Sequence, residues 1–417
     1  MGKGGEREVD LDKKLEVLID GRYYDVTNLK HPGGSVIKFY AGKGIDASEA
    51  FANFHVRSKK AQKYMAALPS REANMKEERA KHLPGQEALL KDFAKLTNDL
   101  KAEGFFDPNP MHALYRVFEI VAMHAIGAYL LLNGHYYVGV TVLGIVSGRC
   151  GWLMHECGHY SLTGNIPLDR QLQVWLYGVG CGMSASWWRS QHNKHHSMPQ
   201  KISHDVDLNT LPLVAFTDKV VKKAGKAMKS WLSLQATAFP LITCLLVALG
   251  WQLYLHPRHI VRTRQVSEGL ALLTRAGIFW GLVVPYFGIW GGVKLYLLYN
   301  WIAADYIFIN FAVSHTHLPT VPKEDTQVDW VRYAAVHTMN VASGPLGWVD
   351  WWMSYLNFQI EHHLFPSMPQ YRHPIISPRV RALFEKHGLV YDQRSYTEAM
   401  MVTFKNLHKV GSDVFYG

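Results

Sequence analysis

Long apolar segments alternate with polar ones over most of the chain after residue 112. Two runs, at about 113–132 and 136–152, are each close to the roughly 20 residues that a helix needs to cross a bilayer, and only a short turn separates them. Three more apolar runs follow a long polar stretch, at about 236–255, 270–290 and 292–313. The pattern predicts an α-helical integral membrane protein with about four transmembrane helices.

The N-terminal part has the shorter and more polar pattern of a small α+β unit. Residues 16–26, EVLIDGRYYDV, place two β-prone runs around Asp20-Gly21, which predicts a tight hairpin. In the segment that follows, Pro-Gly-Gly forces a turn directly after His31, and short helical patterns lead to His55. Residues 66–110 are charged and helix-prone, so a plain linker and an amphipathic tether both remain open.

Charge and cysteine content narrow the class of protein. The formal charge is +10, but the lysines and arginines flank apolar runs, which fits an anionic lipid surface better than nucleic acid. Four isolated cysteines form neither a disulfide framework nor a zinc-binding CxxC motif, so we expect a reducing, cytosolic face. The first residues show no apolar secretory signal, and Glu6 stands where a myristoylation site needs Ser or Thr.

The positive charge also predicts the topology. The loop HPRHIVRTR follows the third apolar run, and positively charged loops prefer the cytosol. If this loop is cytosolic, 236–255 lies in the interface or dips in and returns, while 270–290 and 292–313 cross through a turn at Trp290-Gly291-Gly292. Four crossings then place both termini in the cytosol. The alternative is a fully inserted 236–255.

Three histidine clusters lie beside the apolar runs. They are HECGH with His155 and His159, HNKHH with His192, His195 and His196, and QIEHH with Gln359, His362 and His363. On a helix these spacings fall on one face, so each cluster can direct two or three donors to one point. Seven imidazoles exceed what one ion with an open position needs, so two metals fit better. Imidazole suits zinc, copper and iron, and the ligands alone do not choose between them.

Further candidate donors lie at the end of the last apolar run. His315 and His317 occur in NFAVSHTHLP, and either could complete a metal shell. We favour His315, because the residues after it mark the end of the helix. A solvated interfacial position explains His317 equally well.

Acidic residues in and near the clusters are interpreted as orienting groups. We expect Glu156 and Glu361 to accept hydrogen bonds from imidazole N–H groups. Asp205 and Asp207, a few residues after the HNKHH motif, either do the same or lie in a solvated loop.

With both histidines in view, residues 12–85 resemble a cytochrome b5 domain. The resemblance implies that His31 and His55 are the axial ligands of haem b, one on each face of the ring. A haem with both faces ligated has no open position for oxygen and transfers electrons.

The rest of the chain resembles a front-end fatty acyl desaturase. Residues 113–417 correspond to the membrane desaturase domain, with boxes of the HxxxH, HxxHH and QxxHH types, and 86–112 form a linker or tether. Gln359 stands where relatives without a fused haem domain usually have histidine, which is typical of the front-end group. The resemblance implies catalytic roles for the eight cluster residues, and metal binding by their seven histidines and His315.

The activity implied is insertion of a cis double bond between an existing double bond and the carboxyl end of a polyunsaturated acyl chain. A fused haem donor favours a redox metal, hence two iron ions with O2 as co-substrate. Electrons would come from NADH through a cytochrome b5 reductase, and the substrate would be an acyl-CoA or an acyl lipid. The expected location is the endoplasmic reticulum membrane, with the active site facing the cytosol and no nucleic acid bound.

Several alternatives remain open at this stage. A sphingoid-base desaturase or a lipid hydroxylase would carry the same boxes, and a haem-bearing membrane protein could use the histidines for transport or structure. Transport would require ionisable residues within the crossing segments, where His124 and Asp305 are among the few. Trp187, Trp188 and Arg189 are interpreted as an interfacial aromatic belt with a lipid-facing arginine, the alternative being an entry for the acyl head group.

Overall fold

A computed structural model describes residues 14–208, 210–221, 225–325 and 329–416. The expectations about a signal segment, a myristoylation site and the location of the two termini fall on 1–13 and 417, outside the described residues.

A three-stranded antiparallel sheet begins the described chain. Its strands are β1 (Glu16–Ile19), β2 (Arg22–Asp25) and β3 (Ser70–Glu72), in that spatial order. Asp20 and Gly21 have φ of 48° and 73°, the left-handed pair that a two-residue hairpin turn requires. The predicted hairpin is therefore confirmed. Between β2 and β3 lie a 3₁₀ helix and two α-helices, Gly34–Phe39, α1 (Ser48–Phe54) and α2 (Lys59–Ala66), and α3 (Met75–Arg79) follows β3.

The segment between the two domains is an amphipathic helix packed on the rest of the protein. This helix, α4 (Gln86–Ala102), buries Leu89, Phe93 and Leu100 completely. The Phe93 ring stacks on Phe365, with 5.3 Å between ring centroids. The segment therefore has the amphipathic character of the second interpretation, and its apolar face is buried in the core.

The first predicted helical hairpin is confirmed. Helices α5 (Pro110–Leu132) and α6 (Tyr136–Gly158) are joined by the expected short turn. The latter helix runs six residues beyond the predicted apolar run, so His155 lies within it and His159 caps it. The chain then forms α7 (Ile166–Trp175) and α8 (Ala185–Ser197), and the second helix of this pair carries HNKHH.

The third apolar run forms a bent helical segment. After α9 (Lys226–Leu232), α10 (Gln235–Leu245) passes through a π-helical stretch, Leu246–Leu255, into α11 (His256–Thr263). The Gln235 side chain donates to Leu407 O at the beginning of the segment, and at its end His256 Nδ1 accepts from Ser184 N, which precedes α8. Both ends therefore contact the side of the protein that carries the histidines. These contacts favour a segment that dips in and returns.

The last two apolar runs form one helix that folds back on itself, α12 (Val266–Ala312). Gly288 has φ 67°, and beyond it the chain reverses, because the rings of Trp280 and Tyr296 stack at 6.2 Å. A straight helix would separate these two residues by about 24 Å. The predicted hairpin is confirmed, but it turns at Gly288 and not at residues 290–292, since glycine adopts positive φ at the lowest cost.

Among the described residues, four helices are long and apolar enough to cross a membrane. They are Pro110–Leu132, Tyr136–Gly158, Gln235–Thr263 and the folded Val266–Ala312. With the small N-terminal α+β domain, this confirms the predicted fold class.

A polar cap lies over the ends of these helices. It contains α13 (Trp330–His337), α14 (Trp348–Trp352), α15 (Gln359–Leu364), α16 (His373–Lys386) and α17 (Tyr396–Tyr416), and a parallel strand pair, β4 (Asn340–Val341) and β5 (Gln393–Arg394). The buried core of the N-terminal domain, which includes Tyr40, is continuous with cap residues such as Trp330 and Phe365. This shared core fixes the N-terminal domain against the histidine side.

Candidate active site

Five imidazoles from all three boxes converge on one buried point, here called the first cluster. Its members are His155, His159, His192, His196 and His362, and one ligand atom from each lies within 4.8 Å of all the others. His192 Nε2 is 3.0 Å from both His159 Nε2 and His196 Nε2. Two nitrogens that bind one ion at a right angle, each about 2.1 Å from it, lie about 3 Å apart. The spacing therefore fits shared coordination.

A second cluster adjoins the first and contains His195, His315 and His363. The Gln359 amide nitrogen donates to Leu356 O at 2.9 Å, and its Oε1 lies 3.2 Å from His315 Nε2. The rings of His196 and His363 stack at 4.2 Å, so the two clusters share a wall. All eight predicted histidines and Gln359 are thus brought together, in a group of five and a group of three with the glutamine.

The donor chemistry of both clusters fits metal ions. Burial lowers the pKa of His159 and of His315 to about 3, so these imidazoles are neutral and can ligate. Among the described residues, the Nε2 atoms of His195, His362 and His363 are buried without a hydrogen-bond partner. An unpaired buried nitrogen is costly, and a cation would remove that cost.

Asp205 confirms the orienting interpretation. His195 Nδ1 donates to Asp205 Oδ2 at 3.0 Å and lies 3.1 Å from Asp207 Oδ2, which leaves Nε2 directed into the second cluster. Burial lowers the pKa of His195, but the two carboxylates outweigh burial and raise that pKa to about 9. A carboxylate behind an imidazole fixes the ring and increases its basicity towards a metal.

The interpretation of Glu156 and Glu361 as imidazole acceptors is wrong. Glu156 accepts from the main-chain N–H of Gln370 and lies 3.8 Å from the buried guanidinium of Arg116. Glu361 accepts from Asn340 Nδ2 and from a tyrosine hydroxyl. Both side chains point away from their neighbouring histidines, because adjacent residues of a helix face different directions.

The aromatic belt predicted at 187–189 is also wrong. The Trp188 ring stacks on His192 at 4.2 Å, and the Arg189 guanidinium donates to Gln173 Oε1. Trp188 therefore supports the first cluster from behind, Arg189 is bound within the protein and does not face lipid, and Trp187 packs on the His256 ring at 4.7 Å. His317 lies outside both clusters, and both of its ring nitrogens are buried without a described hydrogen-bond partner, so it takes neither the ligand position nor the solvated one.

Two residues that lie beside the first cluster were not predicted from the sequence. The Gln370 side-chain amide lies 2.9 Å from His155 Nδ1, and the buried His373 ring lies 5.9 Å from His362. Both residues come from the cap, after the last box in the sequence, and no regular spacing connects them with the histidines of the boxes.

His31 and His55 face each other across a cleft in the N-terminal domain. Their ring centroids are 6.1 Å apart, and the His55 Nδ1 donates to Phe51 O, so its Nε2 is free. Burial lowers the pKa of both imidazoles, and His31 Nδ1 has no described partner. The cleft belongs to a cavity of about 460 Å³ with mainly apolar walls. These features fit an iron porphyrin held between two imidazoles.

Comparison with known proteins agrees with this geometry. The family model described as "Fatty acid desaturase" matches residues 133–395, which is more than half of the chain. The chain belongs to the fatty acid desaturase family. The model described as "Cytochrome b5-like Heme/Steroid binding domain" matches residues 7–73 of this desaturase. The resemblance inferred from the motifs is therefore confirmed.

Curated relatives match over nearly the full length of this desaturase. An acyl-lipid (8-3)-desaturase of Rebecca salina is 55% identical, over 96% of this chain and 92% of the relative. An acyl-lipid (8-3)-desaturase of Thraustochytrium sp is 47% identical, over 99% and 98%. A Delta(8)-fatty-acid desaturase of Euglena gracilis is 27% identical, over 92% of each chain. The protein is accordingly an oxygen-dependent oxidoreductase of the front-end desaturase type. It has a cytochrome b5-like domain and two buried histidine clusters of the kind that can hold metal ions.

Proposed function

We propose that this desaturase acts on polyunsaturated acyl chains carried by lipids, and inserts a cis double bond between an existing double bond and the carboxyl end. The observation that carries the proposal is the pair of adjoining donor clusters beside a haem-type cleft in one chain. The acyl-lipid carrier and the (8-3) type follow the names of the two most similar relatives described above.

The proposed metals are two iron ions, one in each cluster, and haem b occupies the cleft between His31 and His55. Iron with O2 supplies the oxidant that an unactivated methylene pair requires. The chain holds the first cluster with five neutral imidazoles, and the second with three and the oxygen of Gln359. Asp205 fixes the His195 ring, and burial of the box histidines limits the access of water to the site.

Electrons are proposed to arrive from NADH through a cytochrome b5 reductase, one at a time by way of the haem. The protein is proposed to lie in the endoplasmic reticulum membrane with the histidine clusters towards the cytosol. In this arrangement the bent segment Gln235–Thr263 returns to the cytosolic side, which its contacts with Leu407 and Ser184 support.

Lipid analysis of a host without polyunsaturated fatty acids of its own tests the proposal. The host receives the desaturase and is fed a polyunsaturated fatty acid, and product position is read by mass spectrometry. We expect a new double bond on the carboxyl side, first in phospholipids and later in the acyl-CoA pool. His196→Ala and His363→Ala, one from each cluster, should insert and bind haem but form no product.

Other products would overturn the proposal in recognisable ways. A hydroxylated chain would indicate a hydroxylase, and a modified long-chain base would indicate a sphingoid-base desaturase. A double bond on the methyl side would exclude the front-end type, and labelling of acyl-CoA before phospholipid would exclude the acyl-lipid carrier.

A further inference from the structure

One aromatic side chain connects the haem cleft with the first cluster. Phe54 lines the cavity that contains His31 and His55, and it directly precedes His55 in the chain. On its other side, its ring meets the ring of His196 edge to face, at 6.4 Å and 85°. Phe54 therefore touches both the haem cleft and a histidine of the metal site.

Hydrogen bonds between the two domains fix the position of this ring. Tyr40 OH donates to Ser197 O at 3.0 Å, next to His196 in the second box. Ser367 Oγ donates to Asn53 O at 2.7 Å, next to Phe54 itself. Both bonds are buried, and each joins a residue of the N-terminal domain to the desaturase domain. Their positions hold the haem-side helix against the box helix.

A third interdomain contact is made by a residue just after the C-terminal end of α1. The Arg57 guanidinium, two residues after His55, donates to the main-chain carbonyls of Phe106 and Ser367. Apart from Tyr40 and Phe106, the residues that make these three contacts lie within four residues of Phe54 or of a box. Hydrogen bonds thus join the two domains where the haem cleft approaches the metal site.

We propose that Phe54 is the bridge through which electrons pass from the haem to the first cluster. The inference rests on the proposed function, since it needs haem in the cleft and iron at the clusters. Each transfer oxidises the haem from the ferrous to the ferric state and reduces the histidine-held iron by one electron. Two transfers, one O2, two protons and the two hydrogens of the acyl chain give one double bond and two waters.

A second route has to be distinguished from this one. His159, another member of the first cluster, also lines the haem cavity. Phe54 is favoured because it directly precedes His55 and its ring packs on His196, which gives a side-chain contact from the cleft wall to the first cluster.

The test is the reoxidation of the haem in the purified full-length protein. Haem is reduced with dithionite and mixed with O2, with or without micelles of phosphatidylcholine that carries a polyunsaturated acyl chain. The substrate-dependent part of the reoxidation rate is followed by haem absorbance. We expect Phe54→Leu to slow it by about tenfold, or about 1.4 kcal/mol of activation free energy. The haem spectrum, midpoint potential and iron content should stay as in the wild type, and Phe54→Tyr should restore the rate.

Phe39→Leu is the matched control. Phe39 also belongs to the N-terminal domain and meets a histidine of the desaturase domain, but that residue is His204, outside both clusters, at 4.7 Å. This variant should keep the wild-type rate. Equal rates for Phe54→Leu and wild type would overturn the bridge and point to the His159 route. A wild-type protein without any substrate-dependent reoxidation would instead contradict the proposed function.

Discussion

The side-chain oxygen of Gln359 lies 3.2 Å from His315 Nε2, across the second cluster. The two residues are separated by 44 positions in the chain. Their side chains approach each other because α12 ends beneath the cap helix α15. The glutamine thus stands where a fourth donor of this cluster would be expected. An amide oxygen is a weaker iron donor than imidazole, which suits a position that binds directly or through water.

Gln359→Ala should therefore weaken iron binding at the second cluster selectively. We expect a loss of desaturation of about tenfold to a hundredfold, because one donor or its water is removed while three imidazoles remain. Non-haem iron per chain should fall, with the haem absorbance unchanged. Gln359→Glu, which keeps an oxygen at this position, should retain more iron. Full iron content in the alanine variant would exclude any role of Gln359 at the metal.

Asp205→Asn should reduce activity through His195. The carboxylate accepts from His195 Nδ1 at 3.0 Å, and its loss frees the ring to rotate or change tautomer. Replacement of such a partner costs about tenfold to a hundredfold in metal affinity or activity. Iron titration of the apoprotein measures the affinity. Asp207→Asn is the matched control, and it should cost less because that side chain is 32% exposed. A larger effect at Asp207 would reverse the assignment.

Haem ligation predicts the outcome of replacing either histidine of the cleft. His31→Ala and His55→Ala in the full-length protein should each abolish the low-spin haem spectrum, because one face of the iron loses its ligand. Desaturation that depends on NADH should disappear with it. His82→Ala, at another histidine of the N-terminal region, should leave the spectrum intact. A normal low-spin spectrum in either cleft variant would refute the assignment.

The N-terminal domain should lose stability as the pH rises towards neutrality. Burial, with the charges of Asp46 and Asp20, raises the pKa of Glu49 from 4.5 to about 7. The folded state then holds a proton that the unfolded state releases, so stability falls between about pH 4.5 and 7. Glu49→Gln should raise stability above pH 7 by about 1 to 3 kcal/mol, allowing for partial exposure.

The temperature of haem release, measured from pH 5 to 8, reports this difference. The curves of wild type and Glu49→Gln should approach each other towards pH 5 and separate as the pH rises. Glu72→Gln, at a side chain that is 85% exposed, serves as the control. Parallel curves for wild type and Glu49→Gln over the whole range would show that the carboxyl is ionised throughout.

Glycosylation acceptors test the topology. An acceptor site inserted at Gly134, in the turn between α5 and α6, should be glycosylated in microsomes, and one near residue 262 should not. The reason is that α6 carries its histidines to one side of the membrane, and the bent segment returns to the same side. Glycosylation near residue 262 would mean that Gln235–Thr263 crosses completely.

Local regularities made much of the architecture readable from the sequence. The apolar runs predicted the two helical hairpins, and Asp20-Gly21 predicted the β-hairpin, because each depends on neighbours in the chain. The position of the second helical turn did not follow from the tryptophan and glycines at 290–292. Only the packing of Trp280 on Tyr296 shows that the reversal occurs at Gly288. Several glycines near a predicted turn offer equal freedom, and tertiary contacts select one.

For the candidate site too, some features follow from the sequence and others only from the tertiary structure. The sequence by itself determined which imidazoles could ligate, since spacings of three and four place side chains on one helical face. It could not determine their grouping: His195 and His196 are adjacent, yet they belong to different clusters. Successive helical residues point about 100° apart, so neighbours in sequence reach different partners. Gln370, from the distant cap, likewise meets His155 only because the folded chain brings it there.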